Sequence, residues 1–348
     1  MHDHHRRSAM VLAVENLNIS CNEPSTSIAP IPPHRRSWSV DSRVKGFFAG
    51  SANIPMSHPY FAQCVIELTE RPPHDIIVLY IGTATYDIQE YRDIQTSAFF
   101  SLGCTIKSLD VDNTFVPFAD IEKAVAEAHI VLVSGGNTLY AIDRWRSLGL
   151  DVVLKDAAHR GTVMTGGSAG LICWFDGGHS DSMDPTSYRE HMLCHSANTN
   201  HQQGPNKDWD YIRVEGLGIF PGLVCPHYDQ IQSNGVARMA DFDEMMTRHS
   251  YELGLGFDEF AALEINGQDF RVLTVPGKRR SGAEPLTPGV WIKYADESGV
   301  IETKLCPTSG KVRDLLQVLK DRAKHTRIDE RMEVCRVQNP SVLNKAAT

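Results

Sequence analysis

Thr162-Val163-Met164-Thr165-Gly166-Gly167-Ser168-Ala169-Gly170 is the stretch whose reading decides the fold. A short apolar run passes directly into glycines, a serine and the start of a helix-compatible segment. An earlier stretch has the same design: the apolar residues 130–133 lead into Ser134-Gly135-Gly136-Asn137-Thr138. Strands that are apolar on both faces belong in a parallel sheet covered on both sides. In such sheets ligands bind outside the carboxyl ends of the strands, so both glycine turns fall on the functional edge. Gly166, Ser168 and Gly170 fit the spacing G-x-S-x-G, in which a tight strand-to-helix turn presents a serine hydroxyl above the sheet. The Ala169 amide is then a candidate oxyanion donor, with the Gly136 amide as a second wall. A glycine-rich turn with an incidental serine, and an Asn137 that merely caps the next helix, are the plainer alternatives.

Working outward, residues 44–49 form a short apolar run, and Phe61, Val65 and Leu68 mark a helix that Pro72 and Pro73 end. The spacing predicts strands at 76–81, 105–109, 130–133 and 162–165. It predicts helices around 88–102, 118–128, 139–148 and 152–160. This alternation points to an α/β domain with a doubly wound, mostly parallel sheet. After Tyr251 the runs shorten (261–265, 270–275, 290–294) and are separated by Gly and Pro, as expected of antiparallel strands finishing the same domain before a helix near 311–324. Residues 1–43 mix His, Pro, Ser and Arg without a period and read as a flexible N-terminal extension. The catalytic domain is expected over 44–328 and a C-terminal tail over 329–348.

The chain has 348 residues and carries 34 Lys+Arg against 43 Asp+Glu, a net charge of −9, which argues against nucleic acid or an anionic membrane as its main partner. No apolar run approaches the roughly 18 residues of a membrane span. The 8 cysteines are scattered, without the dense spacing of a disulfide scaffold, so a reducing, cytoplasmic setting is expected. The apolar stretch at 9–14 is short for a signal peptide.

A serine nucleophile needs a base, and 15 histidines compete for the role. His2, His4, His5 and His34 fall in the extension, and His129 and His159 sit at helix ends. His179, His191, His195 and His201 share a polar stretch with Cys194 that reads as a loop, with no metal-ligand pairing in it. His227 follows an apolar run ending in Cys225-Pro226, which places it at a strand end on the edge where Ser168 lies. For the orienting acid the candidates are Asp176, Asp181, Asp229 and the pair Asp258-Glu259. Spacing does not choose among them.

Four blocks resemble the peptidase E family of serine peptidases, the group of aspartyl dipeptidase and cyanophycinase. They are Val133-Ser134-Gly135-Gly136-Asn137-Thr138; Gly167-Ser168-Ala169-Gly170 with Cys173-Trp174-Phe175; Cys225-Pro226-His227-Tyr228-Asp229; and Asp258-Glu259-Phe260-Ala261-Ala262-Leu263. The likeness runs from about residue 44 to residue 307. It implies a fold like class I glutamine amidotransferases, with a nucleophile elbow at Ser168, His227 as base, and Gly136 and Ala169 as oxyanion donors. For the acid it implies Glu259, or Asp181 by analogy with other relatives, and Glu259 is preferred because a turn between strands holds it rigidly. The implied activity is hydrolysis of short peptides, dipeptides with N-terminal Asp foremost, without metal or organic cofactor and with a homodimer as the candidate assembly. A cyanophycinase-like peptidase or amidase, or an inactive binding relative, are the alternatives. The segment between Ser168 and His227 exceeds the family pattern, and residues 185–209 are the expected insertion. Arg189, Lys207 and Arg213 in or near it are the candidate readers of an acidic side chain.

Overall fold

The computed structural model describes residues 43–194 and 208–316 except 283 and 297, all within the unit Ser37–Thr348. The expected extension and tail, the end of the 311–324 helix, and His195, His201 and Lys207 lie outside the described residues. The first half alternates strands and helices: β1 (Lys45–Ala49), α1 (Ile54–Ser57), α2 (Pro59–Leu68), β2 (Ile77–Ile81), α3 (Gln89–Ser101), β3 (Thr105–Ser108), α4 (Phe118–Glu127), β4 (Ile130–Val133), α5 (Thr138–Leu148), α6 (Leu150–Arg160), β5 (Val163–Gly167) and α7 (Ala169–Ile172). Then follow β6 (Phe175–Ser180), α8 (Arg189–Cys194), β7 (Ile212–Glu215), β8 (Phe220–Cys225), α9 (Arg238–Arg248), β9 (Gly254–Phe257), β10 (Ala261–Asn266), β11 (Asp269–Thr274), β12 (Val290–Ala295), β13 (Ile301–Leu305), β14 (Ser309–Lys311) and α10 (Val312–Leu316).

These strands form two sheets, where the sequence predicts one. The 8-stranded sheet runs β14-β11-β10-β1-β5-β4-β2-β3, parallel from β1 through β3 and antiparallel from β1 out to β14. The 6-stranded sheet runs β13-β12-β9-β8-β6-β7, with β8 parallel to both its neighbours and the outer pairs antiparallel. "Mostly parallel" therefore holds for the middle of each sheet only, and the fold is mixed α/β.

Side chains alternate across the first sheet as the pleat requires. Phe47, Val78 and Leu132 pack with Phe61 of α2 and Phe99 of α3. Phe48, Leu79 and Val131 face the other way, toward Trp145 of α5 and Leu154 of α6. On that second face the Phe48 ring meets Phe175 at 5.1 Å and Phe220 at 4.8 Å between centroids, so the first strand of one sheet is covered by strands of the other.

The second sheet was hidden because β6 (Phe-Asp-Gly-Gly-His-Ser) has no apolar period. His179, read as part of a loop, is a fully buried strand residue. Its ring lies 4.2 Å from that of Tyr211, and its Nε2 is 2.9 Å from Asp241. Among the described residues no helix is long and apolar enough to cross a membrane.

Candidate active site

Ser168 stands between β5 and α7 at φ 55° and ψ −117°, a backbone conformation that costs a non-glycine residue energy and is held only by its surroundings. The glycines beside it are required by close approach. A Cβ on Gly167 would lie 2.1 Å from the Ser51 carbonyl oxygen, and one on Gly170 would lie 2.3 Å from that of Val133. The serine is buried, with 8% of its surface exposed.

His227 lies just beyond the end of β8, also at positive φ (49°). Its Nε2 is 2.9 Å from Ser168 Oγ, and its Nδ1 bonds Glu259 Oε2. Tyr228 anchors this turn: its amide donates to the Phe257 carbonyl at 2.8 Å, and its buried ring lies against Gly256.

Glu259 sits in the β9–β10 turn, whose base is fixed by Asp258. That buried carboxylate accepts from the Gly289 amide and the Trp291 indole, each at 2.9 Å, and lies 3.3 Å from Arg280. Burial pushes the Asp258 carboxyl up to about 6. For Glu259 burial also opposes ionisation, but the His227 imidazole, the Ser51 hydroxyl and the Arg238 charge outweigh it and hold the carboxyl below its usual range.

The end of β1 joins the three residues. Ala49 accepts from the Ser168 amide at 3.3 Å, Gly50 accepts from the His227 amide at 3.1 Å, and the Ser51 hydroxyl helps to hold the Glu259 carboxyl below its usual range. Gly50 also donates to Ala261 at 2.9 Å, tying the β9–β10 turn to the same point. One extended segment thus sets the spacing of side chains drawn from three distant parts of the sequence.

The other sequence candidates fall elsewhere. Asp176 accepts from the Gly222 amide at 3.1 Å, between β6 and β8. Asp229 accepts from the Glu259 amide at 2.7 Å and the Ser281 amide at 2.6 Å, so it braces the turn that carries Glu259. Asp181 is 3.0 Å from Arg238 Nη1. Arg189 pairs with Asp112 at 2.8 Å and Arg213 with Glu252 at 3.0 Å, which commits both of the described basic candidates to other partners. His129 accepts the Ile77 amide on Nδ1 at 3.0 Å, a structural bond at the start of β2.

Arg238 is the residue that sequence reasoning missed. It is the first residue of α9, fully buried over the Tyr211 ring, with Nη2 2.8 Å from the His179 carbonyl oxygen. An arginine opening a polar helix carries no periodic signal, and its role comes from where α9 packs.

At the second glycine turn, Asn137 caps α5 by accepting from the Tyr140 amide at 3.0 Å. Its Nδ2 donates to the Ser182 carbonyl and to Ser187 Oγ, both at 3.0 Å, fastening the turn to the segment after β6. Gly136 is at φ +112°, and Gly135 approaches closely enough that its Cβ would lie 3.6 Å from that of Ser168.

The chain is similar to several known proteins. A Trypanosoma brucei brucei protein named G2/mitotic-specific cyclin-1 is 29% identical over 299 residues, covering 79% of this chain and 88% of that protein. The uncharacterized peptidase YgaJ of Bacillus subtilis (strain 168) is 29% identical over 208 residues, covering 60% of this chain and 75% of the peptidase. The crystal structure of a peptidase from an acI-B1 Actinobacterium shares the fold with a TM-score of 0.51 at 18% identity, over 77% of this chain and 96% of that one. The sequence model of Peptidase family S51 matches residues 47–273, more than half of the chain. The chain therefore belongs to peptidase family S51, the peptidase E family, and is a peptidase.

Proposed function

We propose that the chain is a serine peptidase that hydrolyses short peptides, dipeptides with N-terminal Asp first among them, through Ser168, His227 and Glu259. The observation that carries this reading is the His227 ring, bonded on one nitrogen to Ser168 and on the other to Glu259. The β5–α7 turn is read as a nucleophile elbow, and the parallel core of the first sheet as glutamine amidotransferase-like.

In this mechanism His227 Nε2 takes the Ser168 proton as Oγ attacks the peptide carbonyl carbon. The carbonyl electron pair moves onto oxygen, where the Gly136 and Ala169 amides receive it. Collapse of that intermediate breaks the C–N bond, and the imidazolium protonates the leaving amine. Water repeats the sequence on the acyl-enzyme and frees Ser168. Glu259 holds the Nδ1 proton and stabilises the imidazolium without taking the proton.

Six described cysteines are free thiols, which supports a reducing, cytoplasmic place of action. The test is a panel of Asp-Xaa dipeptides, β-Asp-Arg and simple amides, assayed with wild type and Ser168→Ala. Asp-Xaa hydrolysis that disappears in the variant supports the reading. Preference for β-Asp-Arg or simple amides moves the specificity to the cyanophycinase-like or amidase alternative, and activity that survives in Ser168→Ala removes the serine mechanism.

A further inference from the structure

We propose that Asp184 is a positioning residue that ties the Gly136 turn to the loop leaving His227, and so sets the oxyanion donor relative to the base; this rests on the serine peptidase reading above. The two turns follow strands of different sheets, β4 in the first and β8 in the second. The end of β1 bonds the Ser168 and His227 turns and the start of β10. The Gly136 turn is gripped by a different segment, residues 182–187.

Each link of that grip is a hydrogen bond. The Asn137 side chain, next to Gly136, donates to the Ser182 carbonyl and to Ser187 Oγ, both at 3.0 Å. Ser187 Oγ in turn donates to the Asp184 carbonyl at 2.8 Å, and the Ser187 amide donates to the same oxygen at 2.9 Å. The Asp184 carboxylate then faces two ways. Its Oδ1 accepts the Thr186 amide at 2.8 Å, which keeps the segment folded, and its Oδ2 accepts the Ser233 hydroxyl at 2.7 Å. Ser233 belongs to the loop that follows His227. The Gln230 amide closes that loop onto the His227 carbonyl at 2.9 Å, and an antiparallel bridge joins Ile231 to Ala237. Trp209 Nε1 donates to Ser233 Oγ at 3.0 Å, so the hydroxyl hydrogen is directed at Asp184.

Asp184 is itself buried, and both its oxygens are spent inside the protein. A buried carboxylate is costly unless donors meet it, and here the donors come from the two pieces that have to be held together. The oxyanion donor and the base act on one reacting group, so a shift of either turn by a fraction of an ångström lowers the rate steeply.

The test follows labelling of Ser168 by a fluorophosphonate over a range of probe concentrations, which gives a saturating rate kinact and a KI. In that reaction Oγ displaces fluoride from phosphorus, His227 takes the serine proton, and the phosphoryl oxygen meets the oxyanion donors, so the rate reads their placement. Asp184→Ala and Ser233→Ala should each lower kinact about 10- to 100-fold with KI within about twofold. The double variant should be no slower than the slower single one, because both cut the same tie. Asp184→Asn should restore kinact to within about threefold of wild type, since its amide oxygen keeps the Thr186 bond and its nitrogen donates to Ser233 Oγ. A role in folding alone would lower the extent of labelling at an unchanged rate, and that result in both alanine variants overturns the proposal. So does a loss carried by KI, or an Asn variant as slow as the Ala variant. If wild-type Ser168 is not labelled, the serine peptidase reading falls first and takes the tie with it; if it is labelled and the alanine variants keep its rate, the tie alone is wrong.

Discussion

The Nε2 atom of His227 lies 2.9 Å from the Oγ of Ser168, and both residues sit at positive φ, 49° and 55°. Two strained turns, each just beyond the end of a parallel strand, point their side chains at one another across the boundary between the two sheets. Strain of this kind costs on the order of 1–3 kcal/mol per residue and persists only where the surroundings over-determine it. Here the bonds from the end of β1 to both turns supply that constraint.

Glu259→Gln should retain the fold and lower kcat by about 10²–10⁴-fold, because a glutamine amide can hold the ring in the wrong tautomer and cannot stabilise the imidazolium. Steady-state kinetics with circular dichroism as the fold control checks this. A variant within about threefold of wild type would exclude Glu259 as the orienting acid.

Asp229 bridges the Glu259 and Ser281 amides and touches neither the imidazole nor the serine through any bond described above. It acts as a positioning residue. Asp229→Ala should lower kcat about 10-fold while leaving KM within about twofold, since it loosens the acid and not the substrate. A KM that rises as much as kcat falls would place Asp229 in substrate binding instead.

Gly136→Ala combines a backbone fault with a chemical one. The new Cβ would lie 2.2 Å from the Ala84 carbonyl oxygen at φ +112°. We expect a loss of about 1–3 kcal/mol in stability and about 10²–10³-fold in kcat from the displaced amide. Gly277→Ala is the control, at φ +75° with nothing within 4 Å of the added carbon. It should cost stability alone, and equal kinetic losses in both variants would remove Gly136 from the oxyanion site.

His179 gives a pH signature. Burial is the main cause that lowers its pKa from 6.5 to about 4, with Arg238 acting in the same direction and Asp241 and Asp181 opposing. The unfolded chain therefore takes up this proton first. The stabilising contribution is complete above about 6.5 and is lost as pH falls toward 4, on the order of 1–3 kcal/mol in all. Denaturant melts across this window should show the decline, with a shallower slope in His179→Gln. An unchanged slope in that variant would assign the effect to other groups.

The serine, its glycine turn and the partner turn at Gly136 are legible in the sequence because backbone approach demands glycine and strand burial demands an apolar run. His227 is legible because Cys225-Pro226 ends such a run. The carboxylate that meets the His227 ring is not, since Asp176, Asp181, Asp229 and Glu259 all lie near strand ends, and only the packing of the β9–β10 turn on β1 brings Glu259 to the ring. The second sheet escapes for a related reason: Gly177, Gly178 and His179 owe their burial to neighbours on β7 and β8 and not to hydrophobicity of their own.

The central claim is that Ser168 is the nucleophile, and fluorophosphonate labelling followed by peptide mass spectrometry tests it most directly. The expected result is one covalent adduct per chain on the peptide containing Ser168, abolished in Ser168→Ala and slowed in His227→Ala. An adduct on another residue, or none on a wild-type enzyme that is hydrolysing peptides, would contradict it.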